Sequence, residues 1–203
     1  IVQVGFNRRF SPMIEKMKKF ISGQISVNYR INAGIIPKNV WIQDRTIGGG
    51  RIIGEVCHFI DTCSYLIGSE VKSVFATTIN KEDKSIPDED NVNIVLNYAN
   101  GSTATISYYA YGDNSMPKEY IEVFSSGVSM QMNDFRELTI FKGGKSSKEK
   151  SANQDKGFVN EFKAFKEAVK SGNEAISFDS IYNTTKTTFK ILESIRSKSL
   201  VEV

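Results

Sequence analysis

The chain contains one histidine, His58, with a carboxylate three residues before it at Glu55. On a helix, side chains at that spacing lie on the same face, so the carboxylate can orient the imidazole ring and raise its basicity. An imidazole titrates close to neutral pH, which suits it to move a proton to or from a hydroxyl group. The sequence therefore predicts His58 as a general acid or base and Glu55 as its orienting partner.

The segment that carries His58 is predicted to be a helix that follows three glycines at 48–50 and ends near Gly68. A solvated helix face, with His58 held by Glu55 or Thr62, would have the same general pattern. Three features favour a binding face: the polar stripe lacks lysine, includes an aromatic ring, and follows glycines that let another molecule approach the backbone. The apolar stripe comprises Ile53, Val56, Ile60, Cys63 and Ile67, and the polar stripe comprises Arg51, Glu55, His58, Thr62 and Tyr65.

Polar side chains upstream of this helix could line a pocket. Arg30 and Asn32 lie at the end of a predicted strand, and Lys38 and Trp41 lie in the loop after it. Together they would form a polar, aromatic-walled pocket suited to a sugar or another hydroxylated ligand. A capped loop around a buried tryptophan is the alternative.

Asn7 and Arg8 follow an apolar run at residues 1–6 that is predicted to be a short buried strand. The end of a strand is a common location for ligand-contacting groups in α/β proteins. A surface basic pair formed by Arg8 and Arg9 is the alternative. The sequence has no dinucleotide-binding glycine motif, phosphate loop, paired-histidine zinc motif or nucleophile elbow.

The chain has 203 residues, of which 40% are hydrophobic and 24% charged, with a mean hydropathy of −0.27. These values are typical of a soluble globular protein, and no apolar run is long enough for a membrane span. The net charge of +3 does not by itself indicate nucleic-acid binding, which would rest only on the pI of 8.7 and the lysines at 142–156. Cys57 and Cys63 are expected to be reduced thiols of a cytoplasmic protein, without a disulfide or a metal site.

The elements that must position the site are predicted from spacing and turn residues. Helices are expected from Ser11 to Gly23, after residues 48–50, and at 157–171 and 178–197. From Val71 onwards the pattern alternates, and short turns such as 100–101 indicate antiparallel pairing of consecutive strands. We therefore expect an α+β fold with helices segregated from the sheet. The strand candidates are 1–6, 25–31, 71–79, 92–98, 102–109, 120–124, 128–132 and 138–141, and residues 142–156 are expected to form a mobile surface loop.

Three segments resemble the C-terminal half of the glucose–fructose oxidoreductase/inositol dehydrogenase (Gfo/Idh/MocA) family. They are VGFNRRFSP at 4–12, YRINAGIIP at 29–37 and GGGRIIGEVCHFID at 48–61. The similarity runs over essentially the whole chain. Its most specific part is the glycine-rich start of the helix that carries the histidine.

The resemblance implies a large, mostly antiparallel sheet with helices packed on one face, like the C-terminal domain of glyceraldehyde-3-phosphate dehydrogenase. Residues 11–203 would form a C-terminal substrate-binding and dimerisation domain, and residues 1–10 would be the remnant of the last strand of an N-terminal Rossmann domain absent from this chain. That domain would bind NAD or NADP in the full-length protein, with Asn7 and Arg8 near the cofactor. No cofactor is expected on the fragment alone, and copies would pair through the open sheet face.

The implied reaction is hydride transfer between a nicotinamide and a sugar, cyclitol or related polyol. The family motif D-x-x-x-H supplies an acid/base histidine and an assisting aspartate; His58 matches the histidine, whereas the aspartate position is Gly54. Glu55 is expected to replace that aspartate. The vacant position leaves an alternative open, a non-catalytic ligand sensor or assembly module, and neither nucleic acid nor a membrane is expected as a partner. The residues expected to hold substrate are Arg30, Asn32, Lys38, Trp41 and Arg51.

Overall fold

The computed structural model describes residues 1–79 and 87–203. Its helices are α1 (Pro12–Lys19), α2 (Cys57–Ile67), α3 (Phe158–Ser171) and α4 (Phe178–Ser197). Its strands are β1 (Ser26–Asn32), β2 (Val71–Thr78), β3 (Asn91–Tyr98), β4 (Thr103–Tyr109), β5 (Glu119–Ser125), β6 (Val128–Asn133), β7 (Glu137–Lys142), β8 (Lys145–Lys150) and β9 (Val201–Glu202).

The described strands form one mixed sheet in the order β8-β7-β6-β5-β1-β4-β3-β2-β9. Strand β1 lies in the middle, parallel to β4 and antiparallel to β5. The other neighbouring pairs described are antiparallel. The predicted α+β fold with a large, mostly antiparallel sheet is therefore confirmed, and the β1–β4 pair is its parallel exception.

Alternation along the strands separates a buried sheet face from an open one. Val27, Tyr29 and Ile31 of β1 are fully buried, and the Tyr29 ring meets the ring of Phe59 in α2 edge-on at 5.1 Å. The buried face therefore packs against the helices, as period-two alternation predicts. The opposite face carries large apolar side chains that are 38–47% exposed, namely Phe75, Val95, Phe124 and Phe141.

Two predictions about local structure were wrong. Residues 1–6 form no strand, because no described strand offers them backbone partners. Residues 142–156 are not a continuous loop, because β8 pairs with β7 through a tight turn in which Gly143 and Gly144 both have positive φ. An edge strand exposed on both faces needs backbone hydrogen bonds rather than apolar side chains, so its sequence lacks the usual alternation.

Helix α3 differs from the other helices because its apolar face remains exposed. Its aromatic and aliphatic side chains form a stripe along the helix that is 36–72% exposed. The helix packs instead through its opposite edge, where Asn160 donates to the carbonyl of Phe10 at 3.1 Å. Contiguous exposed apolar surface of this kind marks an interaction site. Its members are Phe158, Val159, Phe162, Phe165 and Val169, and α4 adds Phe178, Tyr182 and Phe189.

Cys57 and Cys63 are both free thiols, as predicted. Within residues 1–79 and 87–203, no helix combines the length and the apolarity that crossing a bilayer requires.

Candidate active site

The glycine-rich segment before α2 folds as a tight turn. The amides of residues 48 and 49 donate to the carbonyl of Asp44 at 2.8 and 2.9 Å, and the amide of Gly50 donates to the carbonyl of Ile42 at 2.9 Å. Gly49 and Gly50 have positive φ, and a side chain at Gly48 would collide with the backbone of Ile42. These amides are satisfied within the loop, so the glycines shape the entry to the helix and leave no open anion cradle.

The turn leads into a π-helical segment, Ile52–Val56, which precedes α2. Within this segment, the Cδ1 atom of Ile42 packs on Gly54, where a Cβ atom would collide with it. Single π-helical turns are frequent at functional sites, where they re-aim the neighbouring side chains. There is consequently no room at Gly54 for the aspartate of the related motif while Ile42 stays in place.

His58 lies in the first turn of α2, half-buried, with the ring of Phe6 edge-on at 5.9 Å. Its buried Nδ1 atom has no hydrogen-bond partner in the described part of the chain. Burial, followed by the positive charge of Arg8, lowers the pKa of His58 to about 4. The ring is therefore neutral at pH 7 and can accept a proton.

Glu55 does not act as the hydrogen-bond partner of His58 among the described contacts. Its Oε2 atom accepts from Arg51 at 2.8 Å and from the hydroxyl of Tyr108, and its Oε1 atom accepts from Lys118 at 2.7 Å. Burial opposes ionisation, but Lys118 above all, with these hydrogen bonds, holds the pKa of Glu55 at about 2. Glu55 is thus a permanent carboxylate fixed by three donors.

A second buried ion cluster lies beside the helix. The guanidinium of Arg8 donates twice to Glu119, at 2.8 and 3.0 Å, and Lys156 donates to the same carboxylate at 2.8 Å. The hydroxyl of Tyr29 also bonds this carboxylate. Burial opposes ionisation of Glu119, but Arg8 and then Lys156 hold its pKa at about 2. The cluster fixes the segment before α1 to the start of β5.

The residues predicted near a cofactor are both engaged in this region. Arg8 is buried against Glu119, and the side-chain amide of Asn7 donates to the carbonyl of Lys156 at 2.8 Å. Neither side chain is exposed at the surface, so Arg8 is not part of a surface basic pair. Their contact with a cofactor stays a prediction.

The predicted substrate residues are only partly brought together. Arg51 is buried and reaches both Glu55 and the carbonyl of Gly34, at 2.8 and 2.6 Å. Arg30 faces the open side of the sheet and donates to the carbonyl of Pro117 at 2.6 Å. Asn32 holds the backbone of the 113–116 loop through its amide, and Lys38 and Trp41 are exposed on the loop before α2.

The site also contains residues that the sequence patterns did not single out. Lys118 precedes β5, and Tyr108 and Glu119 lie at buried positions of β4 and β5. Tyr108 and Glu119 could have been found from the sequence, because they are polar residues at strand positions where alternation places buried side chains. Asp61, on α2, is fully buried and forms an ion pair with Arg9.

A cavity of about 660 Å³ opens where β1 and β6 end and β5 and β7 begin. Asn32, Gly34, Asn114, Lys118 and Arg136 are among its lining residues. Lys118 lines this cavity and also donates to Glu55, so it connects the cavity to the segment before the histidine helix.

A nicotinamide dinucleotide does not fit the described residues as a whole. Its phosphates need open backbone amides at a glycine-rich turn, and those of residues 48–50 are bonded within their own loop. The neutral ring of His58 suits only the nicotinamide, which is the reacting end of such a cofactor. The described residues therefore do not hold a complete site for such a cofactor.

A family model for the GFO/IDH/MocA C-terminal domain matches residues 21–128. The chain is 30% identical over 149 residues to the uncharacterised oxidoreductase YrbE of Bacillus subtilis, covering 68% of this chain and 42% of that protein. It is 28% identical over 150 residues to the myo-inositol 2-dehydrogenase of Thermotoga maritima, covering 69% and 43%. The matched part is thus less than half of each curated relative.

The same architecture occurs in a solved levoglucosan dehydrogenase in complex with NADH and levoglucosan, with a TM-score of 0.81 and 20% identity. The alignment covers 100% of this chain and 66% of that one. At this level of identity the match shows a common fold. It supports the α+β assignment made above from the strands and helices.

Proposed function

Because the chain belongs to the GFO/IDH/MocA family of oxidoreductases, we propose that it is the substrate-binding and dimerisation domain of an NAD(P)-dependent dehydrogenase. The substrate is a sugar, a cyclitol or a related polyol. The cytoplasm is the proposed location, in keeping with its two free thiols. Residues 11–203 form this domain, and the Rossmann domain that binds NAD or NADP belongs to the longer protein.

One observation carries this proposal: the only imidazole of the chain is half-buried, neutral and placed at the first turn of α2. When the substrate is oxidised, its reacting hydroxyl loses a proton, and His58 accepts that proton through Nε2, the nitrogen opposite the buried Nδ1. In the reverse direction the imidazolium returns it. At pH 7 the ring is in its neutral, proton-accepting form, and a pKa nearer to 7 in the assembled active site would make it a stronger base.

The exposed apolar face of α3 supports the presence of a second domain that packs against this one. The segment at residues 1–6 runs next to α3, where Gly5 lies against the carboxylate of Glu161. In the proposed assembly the nucleotide-binding domain covers this face, and the reacting end of the cofactor meets the histidine helix. The cofactor supplies the hydride acceptor or donor.

The test is turnover of polyols by the full-length protein with NAD⁺ or NADP⁺. His58→Ala should lower kcat by about 10²–10⁴-fold, with the far-UV circular dichroism spectrum unchanged. By calorimetry, residues 1–203 alone should not bind NADH in the micromolar range. Micromolar binding by the fragment would contradict the assignment of the cofactor to a separate domain.

The alternative is a non-catalytic ligand sensor or assembly module on the same fold. Gly54 and the unpartnered Nδ1 of His58 favour it, because the assisting carboxylate of the related motif is absent. Polyol binding by a full-length protein that shows no turnover with either nucleotide would support this alternative. Loss of turnover in a folded His58→Ala variant would eliminate it.

A further inference from the structure

We propose that Lys118 and Glu55 form a two-point clamp for neighbouring hydroxyl groups of a neutral polyol, which makes Lys118 a substrate-positioning residue. The inference rests on the proposed function and deepens it. The two residues are 63 positions apart in sequence, yet the Nζ atom of Lys118 lies 2.7 Å from Oε1 of Glu55.

Lys118 keeps hydrogen-bonding capacity on its open side. Its side chain is 37% exposed and lines the cavity at the ends of β1 and β6. An ammonium group carries three N–H donors, and Glu55 uses one of them. The remaining donors can reach a ligand in the cavity.

Glu55 keeps a matching acceptor. Its Oε2 atom already accepts two hydrogen bonds, from Arg51 and Tyr108, whereas Oε1 accepts one, from Lys118. A carboxylate oxygen can accept two, so Oε1 has a free lone pair, and the side chain is 21% exposed. A donor and an acceptor therefore stand side by side, which suits hydroxyl groups, since each of them both donates and accepts.

The other cations around His58 are already engaged. Arg51 is buried, with its Nη atoms bonded to Glu55 and to the carbonyl of Gly34. Arg8 and Lys156 both serve Glu119. Among these four cations, Lys118 has the most exposed side chain and is the one that lines the cavity.

The clamp matches hydroxyl groups through its hydrogen-bonding groups. Arg51 and Lys118 place two positive charges against the single carboxylate of Glu55, so the preference for hydroxyl groups rests on the paired donor and acceptor and not on charge. A hydroxyl group can satisfy both members without bringing a new charge into a partly buried site.

The clamp also lies beside the proposed base. Glu55 precedes His58 by three residues in the helical segment, and the charge of Lys118 contributes to lowering the pKa of His58. A polyol held by the clamp would thus present one of its hydroxyl groups to the imidazole. Lys118 would fix the substrate without moving a proton.

The test compares Lys118→Met with a matched control, Lys150→Met. Lys150 lines the same cavity but pairs with Glu137. Binding of myo-inositol to residues 1–203 is followed by NMR, with glucuronate as the anionic comparison. Lys118→Met should weaken myo-inositol binding by about tenfold, and Lys150→Met by less than about twofold. Lys118→Arg should restore part of the loss.

Kinetics of the full-length protein separate positioning from a merely structural role. Lys118→Met should raise KM by about tenfold while kcat changes by less than about threefold, and the pKa of His58 should rise. Unchanged KM and binding in a folded Lys118→Met variant would overturn the clamp, as would tighter binding of glucuronate than of myo-inositol, or no binding of either. Turnover that survives His58→Ala while Lys118→Met raises KM would instead refute the proton-transfer role and leave the clamp standing.

Discussion

Ile42 occupies the space that a side chain at Gly54 would need, with its Cδ1 atom packed directly on the glycine. One turn further along, the Nδ1 atom of His58 is buried, with no hydrogen-bond partner among residues 1–79 and 87–203. The end of the Ile42 side chain therefore lies where a side chain at position 54, one helical turn before His58, would begin.

A carboxylate at position 54 should raise the pKa of His58. In the double variant Ile42→Ala with Gly54→Asp, an aspartate one helical turn before His58 can accept from Nδ1, and the pKa of His58 should rise by about 1 unit or more. NMR titration of the chain's single imidazole measures this directly. Ile42→Ala alone is the control and should leave the pKa low, whereas Gly54→Asp alone requires the flexible end of the Ile42 side chain to move aside. An unchanged pKa in the double variant would show that the space above Gly54 does not lead to Nδ1.

The pH dependence of stability should also report on His58. Its pKa is lowered from 6.5 to about 4, by burial and then by Arg8, so between these values the unfolded chain binds the proton more tightly than the folded one. The free energy of unfolding should therefore fall as the pH drops through this window, by up to about 3 kcal/mol, and this contribution should be constant above it. Urea melts of the wild type and of His58→Gln measure it by difference, because other groups titrate in both. A difference that does not vary with pH would contradict the neutral buried ring.

The cluster around Glu119 should contribute to stability through its buried partners. Arg8→Met removes a bidentate partner from a fully buried carboxylate and should cost about 3–5 kcal/mol of unfolding free energy. The matched control is Arg45→Met, which removes a largely exposed pair with Glu89 and should cost less than about 1 kcal/mol. Equal losses in the two variants, measured by chemical denaturation, would be inconsistent with the burial of Glu119.

Gly112 should be sensitive to a single methyl group. A Cβ atom there would collide with the side chain of Asn32, whose amide holds the carbonyls of Asp113 and Met116. Gly112→Ala should therefore cost about 1–3 kcal/mol and loosen the loop at the cavity. Gly5→Ala is the control, since its Cβ would meet Glu161 at an ordinary 3.6 Å. Thermal unfolding of both variants tests the contrast, and a stable Gly112→Ala would mean that Asn32 has room to turn away.

The open sheet face should pair two copies of the chain. Phe124 lies on β5 next to the central strand and is 47% exposed on that face, so Phe124→Glu should convert a dimer to a monomer in sedimentation velocity. Phe162→Glu, on α3 away from the sheet, should leave the dimer intact. Dissociation by Phe162→Glu in place of Phe124→Glu would move the interface to the helix.

Much of the fold could be predicted because its information is local. Alternation located β2 to β7, and the helices were found from their caps and apolar stripes. The parallel pairing of β1 with β4 could not be predicted, since Ser26 and Thr103 are far apart in the chain and no turn between them fixes their register. Strand β8 was missed because backbone pairing alone maintains it.

The site residues could be predicted from the sequence only where they lie on the same helical segment. His58 and Arg51 were predicted from helical spacing; His58 lies in the first turn of α2, and Arg51 caps the π-helical segment that precedes it. Lys118 was missed, because its contact with Glu55 joins positions that only the tertiary fold brings together. Glu55 has the predicted position, but its carboxylate is directed to other donors, which residue spacing does not reveal.

The position of β1 has a consequence for the order of folding. Strands β2 to β4 form one antiparallel meander and β5 to β8 another, and β1 alone joins them in the sheet. Short loops join β3 to β4 and link β5 through β8, whereas inserting β1 requires contacts between residues as distant as Ser26 and Phe124. We therefore expect the two meanders to form separately and to dock through β1 in a slow, late step. Destabilising substitutions in β1 should then slow refolding more than substitutions in either meander.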